Sequence, residues 1–104
     1  MKEITPIELK KMMDTHEDFQ LIDVREEHEA EVAHIGGKLI PMGTIMDHLE
    51  EIAKDKKVVV HCRSGKRSAN VIQALEQHGY TNLYNLKGGI LAYADDVDPS
   101  LTKS

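Results

Sequence analysis

Apolar and polar residues fall in blocks along this chain, and the blocks predict short strands alternating with helices. Lys57-Val58-Val59-Val60-His61 is the clearest: three successive valines without polar alternation predict a strand covered on both faces, as in a parallel sheet. Phe19-Gln20-Leu21-Ile22-Asp23-Val24 predicts a second buried strand, ending at Asp23-Val24-Arg25. Lys38-Leu39-Ile40, stopped by Pro41, and Thr81 to Leu86 predict two more. Thr5 is the expected N-cap of a helix with Pro6 in its first turn and Ile7, Leu9, Met12 and Met13 as its stripe. Glu26 to Ala33 predicts a short helix whose acidic first turn suits its dipole. Met46 to Lys54 predicts another, with Met46, Leu49, Ile52 and Ala53 on one face. A helix is expected from Ser68, carrying Ala69, Ile72, Ala74 and Leu75 and closed by Gly79 as C-cap. Gly36-Gly37 and Gly88-Gly89 break the chain, and Ile90 to Asp95 predicts a last helical turn or two.

The alternation predicts an α/β fold, a mostly parallel sheet with helices on both faces. Residues 1–96 are expected to form one domain and 97–104 a C-terminal tail. In such sheets ligands sit beyond the carboxyl ends of the strands.

Composition narrows the picture. The chain has 104 residues, enough for one core and too few for two. Leu, Ile and Val number 25, against three Tyr, one Phe and no Trp, so the core is expected to be aliphatic. A net charge of −5 lacks the basic footprint of a nucleic-acid binder. One Cys excludes an internal disulfide and a multi-cysteine zinc site, and no metal or cofactor is expected. No apolar run approaches the ~20 residues of a membrane span, and Met1 to Pro6 lacks the apolar stretch of a secretory signal. The expectation is a cytoplasmic domain.

The chemistry concentrates in Cys62-Arg63-Ser64-Gly65-Lys66-Arg67-Ser68, between the valine strand and a helix. A loop curling into a helix N-terminus turns successive N–H groups inward, making an anion nest. Gly65 permits the curl, and Arg63, Lys66 and Arg67 add positive charge. All of this favours an exposed, reactive thiolate at Cys62. A cysteine can equally be a small inert core residue, but the cationic turn favours reactivity. Three other loops do not fit. A Walker A loop needs Gly where Val60 stands and Ser or Thr where Arg67 stands. A cysteine phosphatase loop places Arg where Ser68 stands, and a thioredoxin-type pair needs Cys where Gly65 stands.

Elsewhere the readings are quieter. Asp23 and Arg25 follow a strand and could lie near the loop; a buried Asp–Arg pair is favoured over catalysis. His61 adjoins Cys62, but neighbours on a strand face opposite ways, which disfavours a Cys–His dyad. His28 and His34 read as surface residues, Met42 and Met46 as gap fillers or the lining of a path to the site. Glu26, Glu27, Glu29 and Glu31 read as a solvated helix face.

Taken together, these segments resemble the rhodanese (sulfurtransferase) family. Cys62 to Arg67 looks like its active-site loop, in the six-residue form associated with sulfur rather than phosphate. Leu21-Ile22-Asp23-Val24-Arg25-Glu26 with His34-Ile35 looks like its first motif, and Asn85-Leu86-Lys87-Gly88-Gly89-Ile90-Leu91-Ala92 like its last. Ala30, Gly36 and Tyr93 depart from the usual aromatic, Pro and Trp. The resemblance implies a sheet of about five strands and a Cys62 persulfide. It also implies an anion loop of Arg63, Ser64, Gly65, Lys66, Arg67 and Ser68, and a small sulfur donor such as thiosulfate. The acceptor would be a thiol, cyanide or a protein. Gly36 to Pro41 and Tyr93 to Ser100 look similar to the subgroup joined to adenylating enzymes of molybdopterin and thiamine sulfur-carrier pathways, which implies a sulfur-carrier or persulfide-donor partner. Met1 favours a protein standing alone. A persulfide relay, a non-catalytic rhodanese-like binding module and, more weakly, a phosphatase or arsenate reductase stay open beside the sulfurtransferase.

Overall fold

The computed structural model describes residues 1–101. Five parallel strands form one sheet in the order β1-β5-β4-β2-β3. In chain order the elements are β1 (Glu3–Ile4), α1 (Pro6–Asp14), β2 (Gln20–Asp23), α2 (Glu27–Val32), β3 (Lys38–Leu39), a 3-10 segment (Met42–Glu51), β4 (Val58–His61), α3 (Lys66–Glu76), β5 (Leu83–Leu86) and α4 (Gly89–Asp96). β4 is central, buried along its whole length, and pairs with both β2 and β5.

Alternation along the strands divides the core into two layers. Val58, Val60 and Cys62 join Ile22, Ile72 and Leu75 on the face covered by α3 and the 3-10 segment. Val59 joins Leu9, Met12, Leu21 and Tyr93 on the face covered by α1 and α4. Val97 and Leu101 also pack against this second layer, so the segment expected as a tail is part of the packed body as far as Leu101; residues 102–104 lie outside the described residues. Among the described residues no helix is long and apolar enough to cross a membrane.

Several local expectations change. β1 is too short to leave a pattern; it exists because its backbone completes the edge beside β5. α1 has Thr5 as its N-cap, as expected, with Glu8 completing a capping box, but Ile7 points to solvent and Pro6 takes its place in the buried face. Met46 to Lys54 does not form an α-helix. The chain makes 3-10 turns from Met42 to Glu51, broken at His48 (φ −126°, ψ 27°). Its carbonyls are claimed from outside: Tyr80 Oη donates to Leu49 O (3.0 Å) and Gln20 Nε2 to Glu51 O (2.7 Å). Ile45 and Ile52 are still buried, but Met42 and Met46 are exposed rather than filling gaps.

α2 buries no residue, so apolar packing does not hold it. Arg25 does: its guanidinium is fully buried and donates to Ala33 O (2.8 Å) and Glu29 O (3.4 Å) at the helix end. The charge is met by Asp23, which accepts from Arg25 Nε (3.0 Å) and Nη2 (2.8 Å). The Asp23–Arg25 pair is therefore a buried anchor that fixes α2 at the carboxyl edge of the sheet.

Candidate active site

The carboxyl ends of β4 and β5 meet at the cysteine loop. Cys62 leaves β4 on the same side as Val58 and Val60, and its side chain is only 1% exposed. The thiol expected to be exposed is buried, because strand alternation carries it into the core layer. It is nonetheless polar in its surroundings. The N–H groups of Gly65 (3.1 Å) and Ser68 (3.4 Å) donate to Sγ, and Ser68 Oγ lies 3.4 Å away. The loop can close on the sulfur because Gly65 adopts φ +102°, a conformation that suits Gly. Gly65 has no side chain to cap α3, and the sulfur takes the third amide of the helix instead.

The loop's outward carbonyls are held by the far end of the chain. Ile90 N donates to Cys62 O (2.9 Å) and Leu91 N to Arg63 O (3.1 Å). Gly89 makes this approach possible. Its φ is +62°, and a Cβ there would lie 2.4 Å from Arg63 O and 2.6 Å from Cys62 O. With the carbonyls turned towards α4, the amides face the sulfur.

Burial pushes the Cys62 thiol up, but the hydrogen bonds from Ser68 Oγ and from the Ser68, Gly65 and Ser64 amides outweigh it and bring the pKa below the usual thiol value. The loop's hydrogen bonds, more than its side-chain cations, account for the activation. Arg63, Ser64 and Lys66 are exposed around the loop, Gly65 and Arg67 half-buried, and Ser68 buried. Arg67 is engaged by Glu29 of α2 in a two-pronged pair (2.6 and 2.8 Å). The hydrogen bonds from Arg67 hold the Glu29 carboxyl down at about 2. Glu29 is thus no part of a solvated face; it clamps α2 to the loop.

Asp23 and Arg25 pair with each other beneath this edge. His61 faces the layer opposite Cys62 and is fully buried. Burial lowers its pKa to about 4, Asp23 (3.9 Å away) opposing and Arg25 assisting. So low a pKa, on a ring turned away from the sulfur, makes it a poor base for Cys62. His28 and His34 lie on the surface. Two residues of the site were missed in the sequence: Glu29, and Asn85 of β5. Asn85 is buried; it accepts from Ser68 Oγ (2.6 Å) and donates to Gly65 O (3.0 Å). The i,i+4 spacing of Arg25 and Glu29, and a lone amide in the apolar run Leu83 to Leu86, were the available signals.

Chemically, the site offers a sulfur whose pKa is brought below the usual thiol value by the loop amides, with cations at its rim. That arrangement suits nucleophilic attack on an anionic partner.

Comparison with known proteins agrees with the architecture. A family model described as the rhodanese-like domain matches residues 5–96. The putative sulfurtransferase YtwF of Bacillus subtilis is 38% identical over 100 residues, covering 95% of this chain and 96% of that protein. The probable adenylyltransferase/sulfurtransferase MoeZ of Mycobacterium tuberculosis is 36% identical over 101 residues; the match takes in 94% of this chain but spans only 26% of MoeZ. Among solved structures, a rhodanese-like domain protein from Staphylococcus aureus superposes with a TM-score of 0.85 at 36% identity, covering 100% of this chain and 99% of that one.

Proposed function

The chain belongs to the rhodanese-like domain family, and we propose that it is a sulfurtransferase that carries sulfane sulfur as a persulfide on Cys62. The observation that carries the reading is the polar cradle about Cys62 Sγ: the Gly65 and Ser68 amides donate to it, and the Ser68 hydroxyl lies 3.4 Å away. The sulfurtransferase names of its relatives support it.

With thiosulfate as donor, the Cys62 thiolate attacks the outer sulfur. The S–S bond of thiosulfate breaks, sulfite leaves with the bonding pair, and Cys62 holds a persulfide anion. The loop amides stabilise the negative terminal sulfur as they stabilise the thiolate. An acceptor nucleophile (cyanide, a thiol or a protein thiolate) then attacks that sulfur, and Cys62 leaves as the thiolate. Exposed Arg63 and Lys66 attract the donor anion. Arg67, engaged by Glu29, has the different task of keeping α2 against the loop.

A relay to a sulfur-carrier protein is the second reading, favoured by the likeness to MoeZ, whose name joins adenylyl transfer to sulfur transfer. Here small-molecule turnover is incidental and the acceptor is a protein.

Intact mass after thiosulfate, and again after reductant, tests the persulfide. One added sulfur atom, removed by reductant and absent from Cys62→Ser, is the expected result. Sulfur uptake retained by Cys62→Ser, or no uptake from either thiosulfate or a persulfide, would refute the proposal.

A further inference from the structure

The Ser68 hydroxyl has one proton and two claimants for it. Its Oγ lies 2.6 Å from Asn85 Oδ1 and 3.4 Å from Cys62 Sγ. The orientation of the Asn85 amide is fixed by its other end. Nδ2 donates to Gly65 O (3.0 Å), and the reverse orientation would set two oxygens against each other. Ser68, Cys62 and Asn85 are 0%, 1% and 5% exposed, so the three groups must satisfy one another. The short O–H···O contact is the better bond, so the hydroxyl proton rests on Asn85.

We propose that Asn85 is a positioning residue for Cys62: by holding the Ser68 proton, it makes the resting thiol the donor and Ser68 Oγ the acceptor. On ionisation the S–H bond breaks and its proton passes to buffer, leaving the electron pair on sulfur. The Ser68 hydroxyl then turns from Asn85 Oδ1 to the thiolate, joining the amides already there. The bond to Asn85 opposes that turn, so Asn85 restrains the thiol until a reactant favours the anion. The other charged and titratable groups about the loop remain in place in the variants below. They are Arg63 on the loop, Lys66 and Arg67 at the start of α3, the last of which interacts with the Cys62 charge, Glu29 on α2, which pairs with Arg67, and His61, which precedes Cys62 on β4.

The inference rests on Cys62 being the ionising thiol of the proposed reaction. Its test titrates that thiol directly, so either idea can fail while the other stands. The rate of iodoacetamide alkylation is followed against pH for the full chain, Asn85→Ala, Ser68→Ala and the double variant. Asn85→Ala is expected to move the midpoint to lower pH, raising the thiolate fraction below the midpoint about three- to tenfold, the worth of one ordinary hydrogen bond. In the Ser68→Ala background the same substitution is expected to leave the midpoint where it is. Loosening of the loop alone would shift both backgrounds alike. A midpoint that is unmoved or raised by Asn85→Ala, or shifted equally in both backgrounds, overturns the proposal. If far-UV circular dichroism finds Asn85→Ala unfolded, Asn85→Ser, too short to reach Ser68 Oγ, is expected to give the same shift.

Discussion

His61 offers a test of how this core was assembled. The ring is fully buried, and neither of its nitrogens has a well-formed hydrogen bond among the described residues; its polar neighbours are the Cys62 backbone and Asp23, 3.9 Å away. Folding holds its pKa at about 4, against 6.5 for an ordinary imidazole. Between those values the unfolded chain binds a proton that the folded chain does not, so stability falls as pH drops through the window. The full gap is worth roughly 3 kcal/mol, of which roughly 2 kcal/mol is lost between pH 7 and pH 4.5. His61→Leu removes the titration and the two unmet nitrogens together. Asp23 is not orphaned by the change, because both its oxygens accept from Arg25. The variant is therefore expected to be more stable than the natural chain at pH 7 by roughly 1–2 kcal/mol, the cost of leaving buried polar atoms unmet. The advantage should widen by roughly 2 kcal/mol at pH 4.5. Urea denaturation of both proteins at the two pH values measures it, the difference cancelling the carboxylates common to both. If His61→Leu is less stable at pH 7, or if the two proteins lose stability in parallel on acidification, the reasoning about the ring is wrong.

Glu29→Gln leaves Arg67 without its carboxylate and should cost roughly 1–3 kcal/mol at neutral pH. Because the folded pKa of Glu29 is lowered to about 2, that difference should shrink as pH falls below 4.5, which denaturation curves at pH 7 and pH 3 would register. Gly89→Ala combines a strained φ with a collision against Arg63 O. It should cost roughly 1–3 kcal/mol and abolish thiosulfate-dependent sulfur uptake while far-UV circular dichroism keeps its shape; normal uptake would show that the loop does not need the α4 contact. Leu75→Ala empties a fully buried position in the layer beneath α3 and should cost roughly 2–5 kcal/mol by urea denaturation.

The elements and the loop were legible where the information is local. Val58 to His61 reads as a central strand because three branched apolar residues in succession suit no half-exposed element, and the loop's turn chemistry sits within seven residues. The burial of Cys62 was legible too, since it continues the side of Val58 and Val60; the loop's charges drew attention away from that period. What stayed hidden depends on partners distant in sequence. Glu29 sits in a run of acids that a solvated helix would share, and its pairing with Arg67, 38 residues on, leaves no local trace. Asn85 acquires its role from Ser68, 17 residues back. The 3-10 segment has a serviceable helical pattern, but Gln20, distant in sequence, takes the Ala53 amide that an α-helix would give to Leu49 O.

The bonds from Ile90 and Leu91 to the carbonyls of Cys62 and Arg63 also carry a temporal meaning. A domain folds as a unit, and here β1, at the start of the chain, has its only strand partner in β5, near the end. The valine strand, the cysteine and the amides that will surround it all emerge before the segment that orients them. Until Gly89 and α4 arrive, the two amides that hold those carbonyls are missing. The site is thus tied to completion: a chain cut short before Gly88 would carry the nucleophile without the amides that hold its loop.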